Sequence, residues 1–161
     1  MDGSNGYEAI ALDFIAGRPP GGVGRSTVAE WANELPDGAA VLDLGCGCGG
    51  PITALLVARG LIVYGVDASA TMIAAFRARL PEAVAECSTV EDSSFFDRQF
   101  QAIVAWGLIF LLPPTTQRAL IGKTGQALAS GGRLLFTAPR QVGLWRDAKT
   151  GRESVSLGRD E

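Results

Sequence analysis

Histidine is absent from this chain of 161 residues, and cysteine is confined to Cys46, Cys48 and Cys87. The first absence removes the commonest general base near neutral pH and rules out a hydrolase built on a histidine-based triad. Both together argue against a metal: the Cys46-x-Cys48 pair has no second thiol pair and no imidazole to complete a tetrahedral zinc site. No stretch of 18 apolar residues is free of charges or prolines, and the N-terminus lacks the basic and apolar regions of a signal peptide. A soluble cytoplasmic protein, with no membrane as a partner, is therefore expected. Charges of one sign are not concentrated either: the net charge is −3 with both signs mixed, which disfavours a nucleic-acid substrate. Hydrophobic residues make up 47% of the chain, enough for the core of one domain.

Glycine, by contrast, is concentrated. The stretch Val41 to Pro51, VLDLGCGCGGP, is an apolar run containing an acid, then four glycines in six residues. Val41, Leu42 and Leu44 read as a buried strand, and glycines straight after a strand imply a tight turn with close backbone approach. Ile52 to Arg59 then reads as a helix, completing the strand, glycine loop and helix of a nucleotide-binding crevice. Gly45, Gly47 and Gly50 fit G-x-G-x-x-G, a weak signal alone because glycine-rich turns are common.

Asp43 separates the candidate ligands. A dinucleotide places its pyrophosphate at the mouth of such a loop, where a fixed carboxylate repels it. S-adenosylmethionine (SAM) carries an ammonium and a sulfonium and no phosphate, so an acid there suits it better than NAD. The chain resembles the class I SAM-dependent methyltransferases, whose first motif is a strand ending in an acid followed by G-x-G-x-G. The resemblance runs roughly from Asp37 to Pro139. It implies that Asp43 lies near the methionine amino group, and that Gly45, Cys46 and Gly47 line the methionine and ribose with backbone.

A second strand, Ile62 to Asp67, ends on an acid that follows Gly45 by 22 positions. That is close to the interval of about 20 expected of the carboxylate that accepts from both ribose hydroxyls. Ala68 adjoins it in the same site. Asp67 and Ser69 are also both candidates for the N-cap of the next helix. Met72, at helical spacing, is either a core residue or, as the resemblance implies, packed near adenine.

After a third strand, Ala83 to Cys87, the family's pattern implies an adenine-binding acid and a backbone N–H. Thr89 stands where that acid is expected, which leaves Val90 with Glu91, or Asp92. A solvated acidic loop is the competing reading.

The fourth strand, Phe100 to Trp106, ends at the same crevice, so Ala105, Trp106 and Gly107 are expected to flank the methionine and the transferred methyl. Trp106 alternatively only covers an apolar edge. Phe110 and Leu111 occupy positions where the family often has histidines, so an obvious polar acceptor contact is missing.

Tyr7 to Ala16 has helical spacing with Ile10, Phe14 and Tyr7 on one face. The resemblance implies a lid over SAM, with Tyr7 and either Arg18 or Arg25 as candidates and an arginine meeting the SAM carboxylate; a surface helix with solvated arginines is the alternative. The loop GRPPGGVG follows, then a helix over Thr27 to Leu35 with Ser26 as its cap. Further helical spacing covers Thr116 to Ala129, closed by Ser130-Gly131-Gly132, and a fifth strand covers Arg133 to Ala138. Val142 to Asp147 and Glu153 to Leu157 read as a β-hairpin, with Trp145 beside the acceptor.

These readings define one α/β domain with a doubly wound, mostly parallel sheet and helices on both faces, the Rossmann-like methyltransferase fold. Residues 1–36 form N-terminal helices or a lid, 37–139 the cofactor core, and 140–161 a hairpin or loop. The family's fold continues beyond Asp160-Glu161, so a C-terminally truncated domain is expected. Its fifth strand would be a sheet edge, covered by the hairpin, a swapped element or a partner, a route to a homo-oligomer. The expected function is methyl transfer from SAM to a small-molecule acceptor, giving S-adenosylhomocysteine (SAH). The alternatives are a SAM-binding module without turnover and an NAD-binding oxidoreductase. No residue is assigned as catalytic base.

Overall fold

The computed structural model describes residues 2–18 and 21–158. Pro19 and Pro20 of the expected loop, and the terminal Asp160-Glu161, lie outside them. The elements run α1 (Ala11–Ala16), α2 (Arg25–Ala32), β1 (Ala40–Leu44), α3 (Ile52–Ala58), β2 (Ile62–Asp67), α4 (Ala70–Arg79), β3 (Val84–Cys87), β4 (Phe100–Ala105), α5 (Pro114–Ala127), β5 (Leu128–Phe136), β6 (Val142–Arg146) and β7 (Glu153–Leu157). The first five strands make one parallel sheet in the order β3-β2-β1-β4-β5, while β6 and β7 form a separate antiparallel pair.

Strand alternation assigns the two faces. Val41 and Val63 turn one way, to pack with Val28 of α2 and Leu55 and Leu56 of α3. Leu42, Leu44 and Ile103 turn the other way, towards Phe95 and Leu120 of α5. All five residues of β1 are buried, as expected of a central parallel strand covered on both faces. The order reverses beside β1, with β2 on one side and β4 on the other, so the crevice opens at the carboxyl ends of those strands.

Several boundaries differ from expectation. The N-terminal helix opens with a 3-10 turn at Glu8–Ile10, and Ala11 is its buried residue. Helix α2 begins at Arg25, so Ser26 lies inside it; Gly24 takes the cap position in the left-handed region with φ 89° and gives no side-chain cap. Helix α5 begins at Pro114 and ends at Ala127. Ser130-Gly131-Gly132 lies within β5: Leu128 pairs with Phe100 and the ladder resumes at Arg133 with Ala102, so the glycines sit in a bulge.

The hairpin does not cover the β5 edge, because among the described residues β5 pairs with β4 alone. Instead β7 packs against residues 109–111 and α5. No helix of the described residues is long and apolar enough to cross a membrane.

Candidate functional site

The glycine loop is fastened to the end of β2. The N–H groups of Gly45 and Cys46 both donate to the Val66 carbonyl, at 2.8 and 3.2 Å, and that of Gly47 donates to Asp67 Oδ2 at 2.9 Å. Gly45 and Gly47 have φ of 71° and 54°, in the left-handed region that glycine enters without steric cost. Asp67 Oδ1 accepts from the Ser69 N–H at 2.9 Å. Ser69 itself is the N-cap of α4, its hydroxyl accepting from the Met72 N–H at 3.1 Å, so Asp67 is not the cap.

This corner lies on a cavity of about 530 Å³, within the range of about 300–1,000 Å³ usual for small-ligand sites. Gly45, Gly47, Asp67, Ala68 and Met72 line its base, and Val90 and Glu91 line the wall beyond β3. Trp106, Gly107, Leu108, Phe110, Leu111 and Leu112 make an apolar wall after β4. Tyr7, Phe14 and Arg18 come over from the N-terminal segment, and Asp147 to Lys149 from the hairpin turn. Eleven of the expected site residues, Arg18 and Gly107 among them, thus meet around one space.

Three others do not line it. Asp43 lies at the carboxyl end of β1 with 2% exposure, and its Oδ2 accepts from the Thr53 hydroxyl at 2.6 Å. The Cys46 side chain packs among Ile73, Phe76 and Leu80, and Ala105 is turned into the core beside Ile103. Arg25 and Trp145 are also absent from the lining; Trp145 instead lies against Phe110, ring centroids 5.8 Å apart. Met72 is both a core residue, 2% exposed, and part of the lining.

The electrostatics follow from burial. Desolvation pushes the Asp43 carboxyl up to about 7, with the Asp67 charge adding to it and the Thr53 hydrogen bond and Arg18 opposing. Burial also raises Asp67, against the opposing Ser69 and Gly47 N–H bonds. Tyr7 is pushed up to about 12 by burial and by Asp147, to which its hydroxyl donates at 3.4 Å. For Asp147 burial acts upward, but the Thr150 and Lys149 N–H groups outweigh it and hold the carboxyl below its usual range.

The roof is assembled from distant sequence. Glu8 accepts from the Thr71 N–H and hydroxyl at 3.2 and 2.7 Å and from the Ser69 hydroxyl, tying the N-terminal segment to the start of α4. Arg152 pairs with Asp2 at 3.2 Å, tying the same segment to the hairpin. The loop after β4 is fixed by the Gly107 N–H, which donates to Thr137 Oγ1 at 2.7 Å. Sequence reasoning missed Glu8, Asp147 and Lys149, whose places depend on contacts between segments far apart in the chain.

Residues 41–132 match the family described as methyltransferase domain. The chain belongs to the class I SAM-dependent methyltransferases. It is 38% identical over 107 residues to a trans-aconitate 2-methyltransferase of Variovorax paradoxus, covering 65% of this chain and 40% of that protein. An uncharacterized methyltransferase of Geobacillus thermodenitrificans is 30% identical over 139 residues, covering 83% of this chain and 58% of that one. Among solved structures, DhpI in complex with SAH superposes with a TM-score of 0.70 at 22% identity, covering 98% of this chain and 79% of that one. A TehB-like SAM-dependent methyltransferase from Corynebacterium glutamicum gives 0.67 at 19% identity, with 95% of both chains covered. The chain spans two fifths to three fifths of the length of these two curated relatives.

Proposed function

We propose that this chain binds SAM in the cavity at the ends of β1, β2 and β4 and transfers its methyl group to a small-molecule acceptor by in-line displacement. The observation that carries the reading is the joining of the glycine loop to Asp67 at the cavity base. A carboxylate held from behind by two N–H groups keeps lone pairs free for two ribose hydroxyls. Gly45 and Gly47 allow close approach by the methionine part, Val90 and Glu91 flank the base, and Arg18 faces the methionine carboxylate. Asp43 acts from behind the loop, its charge favouring the ammonium without touching it.

SAM supplies an electrophilic methyl group on a sulfonium, and the chain's task is to hold an acceptor in line with it and exclude water. The wall from Trp106 to Leu112 does both, being apolar and fixed by the Gly107 and Thr137 bond. Tyr7, with its hydroxyl pushed up to about 12, stays protonated and orients rather than accepts a proton. The acceptor therefore brings its own nucleophile, such as a carboxylate, thiolate or free amine. The small-molecule class is supported by the relative whose name specifies trans-aconitate.

Transfer of label from methyl-labelled SAM across a panel of small acids, thiols and amines tests turnover. Labelled product with SAH formation is expected. Binding of SAM with no transfer to any class would favour the second reading, a SAM-binding module. Membership of the family removes the NAD-dependent alternative.

A further inference from the structure

We propose that Lys123 is the positioning residue for the base-reading loop of this cavity, an inference that rests on the SAM reading above. Its ammonium donates to the carbonyl oxygens of Ser93, Val90 and Glu91 at 2.6, 2.8 and 3.0 Å. Three N–H donors meet three carbonyls of one short loop, which uses the whole donor capacity of a lysine. The same ammonium lies 4.4 Å from the centroid of the Phe95 ring, which is 2% exposed.

The loop needs such a prop. Val90 and Glu91 form a wall with the cofactor cavity on one side and a second cavity of about 350 Å³, lined partly by Lys123, on the other. Just beyond them Phe95, Phe96 and Asp97 have φ of 53°, 59° and 50°, a left-handed run that side chains resist. The loop's own bonds cover its start: the Asp92 N–H donates to Thr89 Oγ1 at 3.2 Å and the Ser93 N–H to the Thr89 carbonyl at 3.0 Å. At its end the Ser93 hydroxyl donates to Glu86 Oε2 at 2.7 Å and accepts from the Phe95 N–H at 3.1 Å, and Lys123 adds the restraint on the carbonyl side.

Lys123 holds the Val90 and Glu91 carbonyls, and the N–H groups of these two residues make no hydrogen bond to an acceptor among the described residues. An N–H donor beside the Glu91 carboxylate complements an adenine edge, which offers a ring nitrogen as acceptor and an exocyclic amine as donor. A hypoxanthine edge reverses that pattern, with a carbonyl and a ring N–H. Lys123 thereby sets base selectivity through the loop without touching the base.

The test measures the affinities of the full chain for SAH and for S-inosylhomocysteine by calorimetry, in wild type, Lys123→Met, Lys123→Gln and Lys123→Arg. Lys123→Met keeps the unbranched stem against Phe95 and removes every donor; Lys123→Gln is the second variant should the first fail to fold, and apo melting curves show which variants are folded. Loss of the charged hydrogen bonds is expected to weaken SAH about tenfold and S-inosylhomocysteine less than about twofold, so that the preference narrows. Lys123→Arg, which retains donors and charge, is expected to restore most of the preference. An unchanged SAH to S-inosylhomocysteine ratio in folded Lys123→Met, or in folded Lys123→Gln where Lys123→Met does not fold, overturns the proposal, whether both affinities stay constant or both fall together. Failure of the wild type to bind SAH is a different result and contradicts the cofactor reading itself.

Discussion

Asp43, buried, and Asp67, half-buried, lie at adjacent strand ends and take separate roles in the proposed reading. Asp67 holds the Gly47 and Ser69 N–H groups and borders the cavity, so under the proposed reading Asp67→Ala removes the ribose acceptors and loosens the loop together. A loss of SAM affinity of about 1.5–3 kcal/mol is expected by calorimetry, as for charged hydrogen bonds; unchanged affinity in a folded variant contradicts the role. Asp43 instead acts through its titration, raised to about 7 by burial. A folded carboxyl that titrates above its unfolded value of 3.8 keeps its proton between about pH 4 and 7. Its contribution to stability is therefore full below that window and is lost as pH rises through it. A bound cation favours the ionised form, so SAM affinity is expected to rise about tenfold from pH 5.5 to pH 7 and to flatten in Asp43→Asn. Affinity that is level across that range in the wild type contradicts this. Asp67 was legible from its spacing after Gly45, whereas the Thr53 partner of Asp43 was not, because that bond exists only once α3 folds back on β1.

At the scale of elements, the start of α2 is built around Trp106. Gly24 caps the helix with φ 89°, and a Cβ there would run into the Trp106 ring. Gly24→Ala is expected to cost about 1–3 kcal/mol in stability through the strained conformation and to shift the ring. A lowered melting midpoint with altered tryptophan fluorescence checks it, and a variant as stable as wild type contradicts it. The apolar runs of β1, β2 and β4 were readable because buried parallel strands need continuous hydrophobic residues. The start of β5 was not: Ser130-Gly131-Gly132 reads as a turn, and only pairing with β4 on both sides of it makes it a bulge. Ser26 was misplaced for a related reason, since a glycine at the preceding turn leaves no side-chain signal.

For the molecule as a whole, the parallel sheet and the crevice were legible, while the strand order came from the structure and the roof was not legible, because periodicity does not reveal how residues 2–18 meet a hairpin at 142–157. Strand β5 remains an edge among the described residues, with Phe136 42% exposed at its end and Val142 and Leu144 exposed on the hairpin. Unpaired edges favour association, so concentration-dependent self-association is expected in sedimentation velocity and is expected to weaken in Phe136→Lys; a monomer at every concentration contradicts it. Calorimetric titration of the chain with SAM, SAH and NADH reads whether the glycine loop and Asp67 form a SAM site. Saturable binding of SAM and SAH at one site, with none of NADH, is expected; absence of SAM and SAH binding, or tight NADH binding, overturns that assignment.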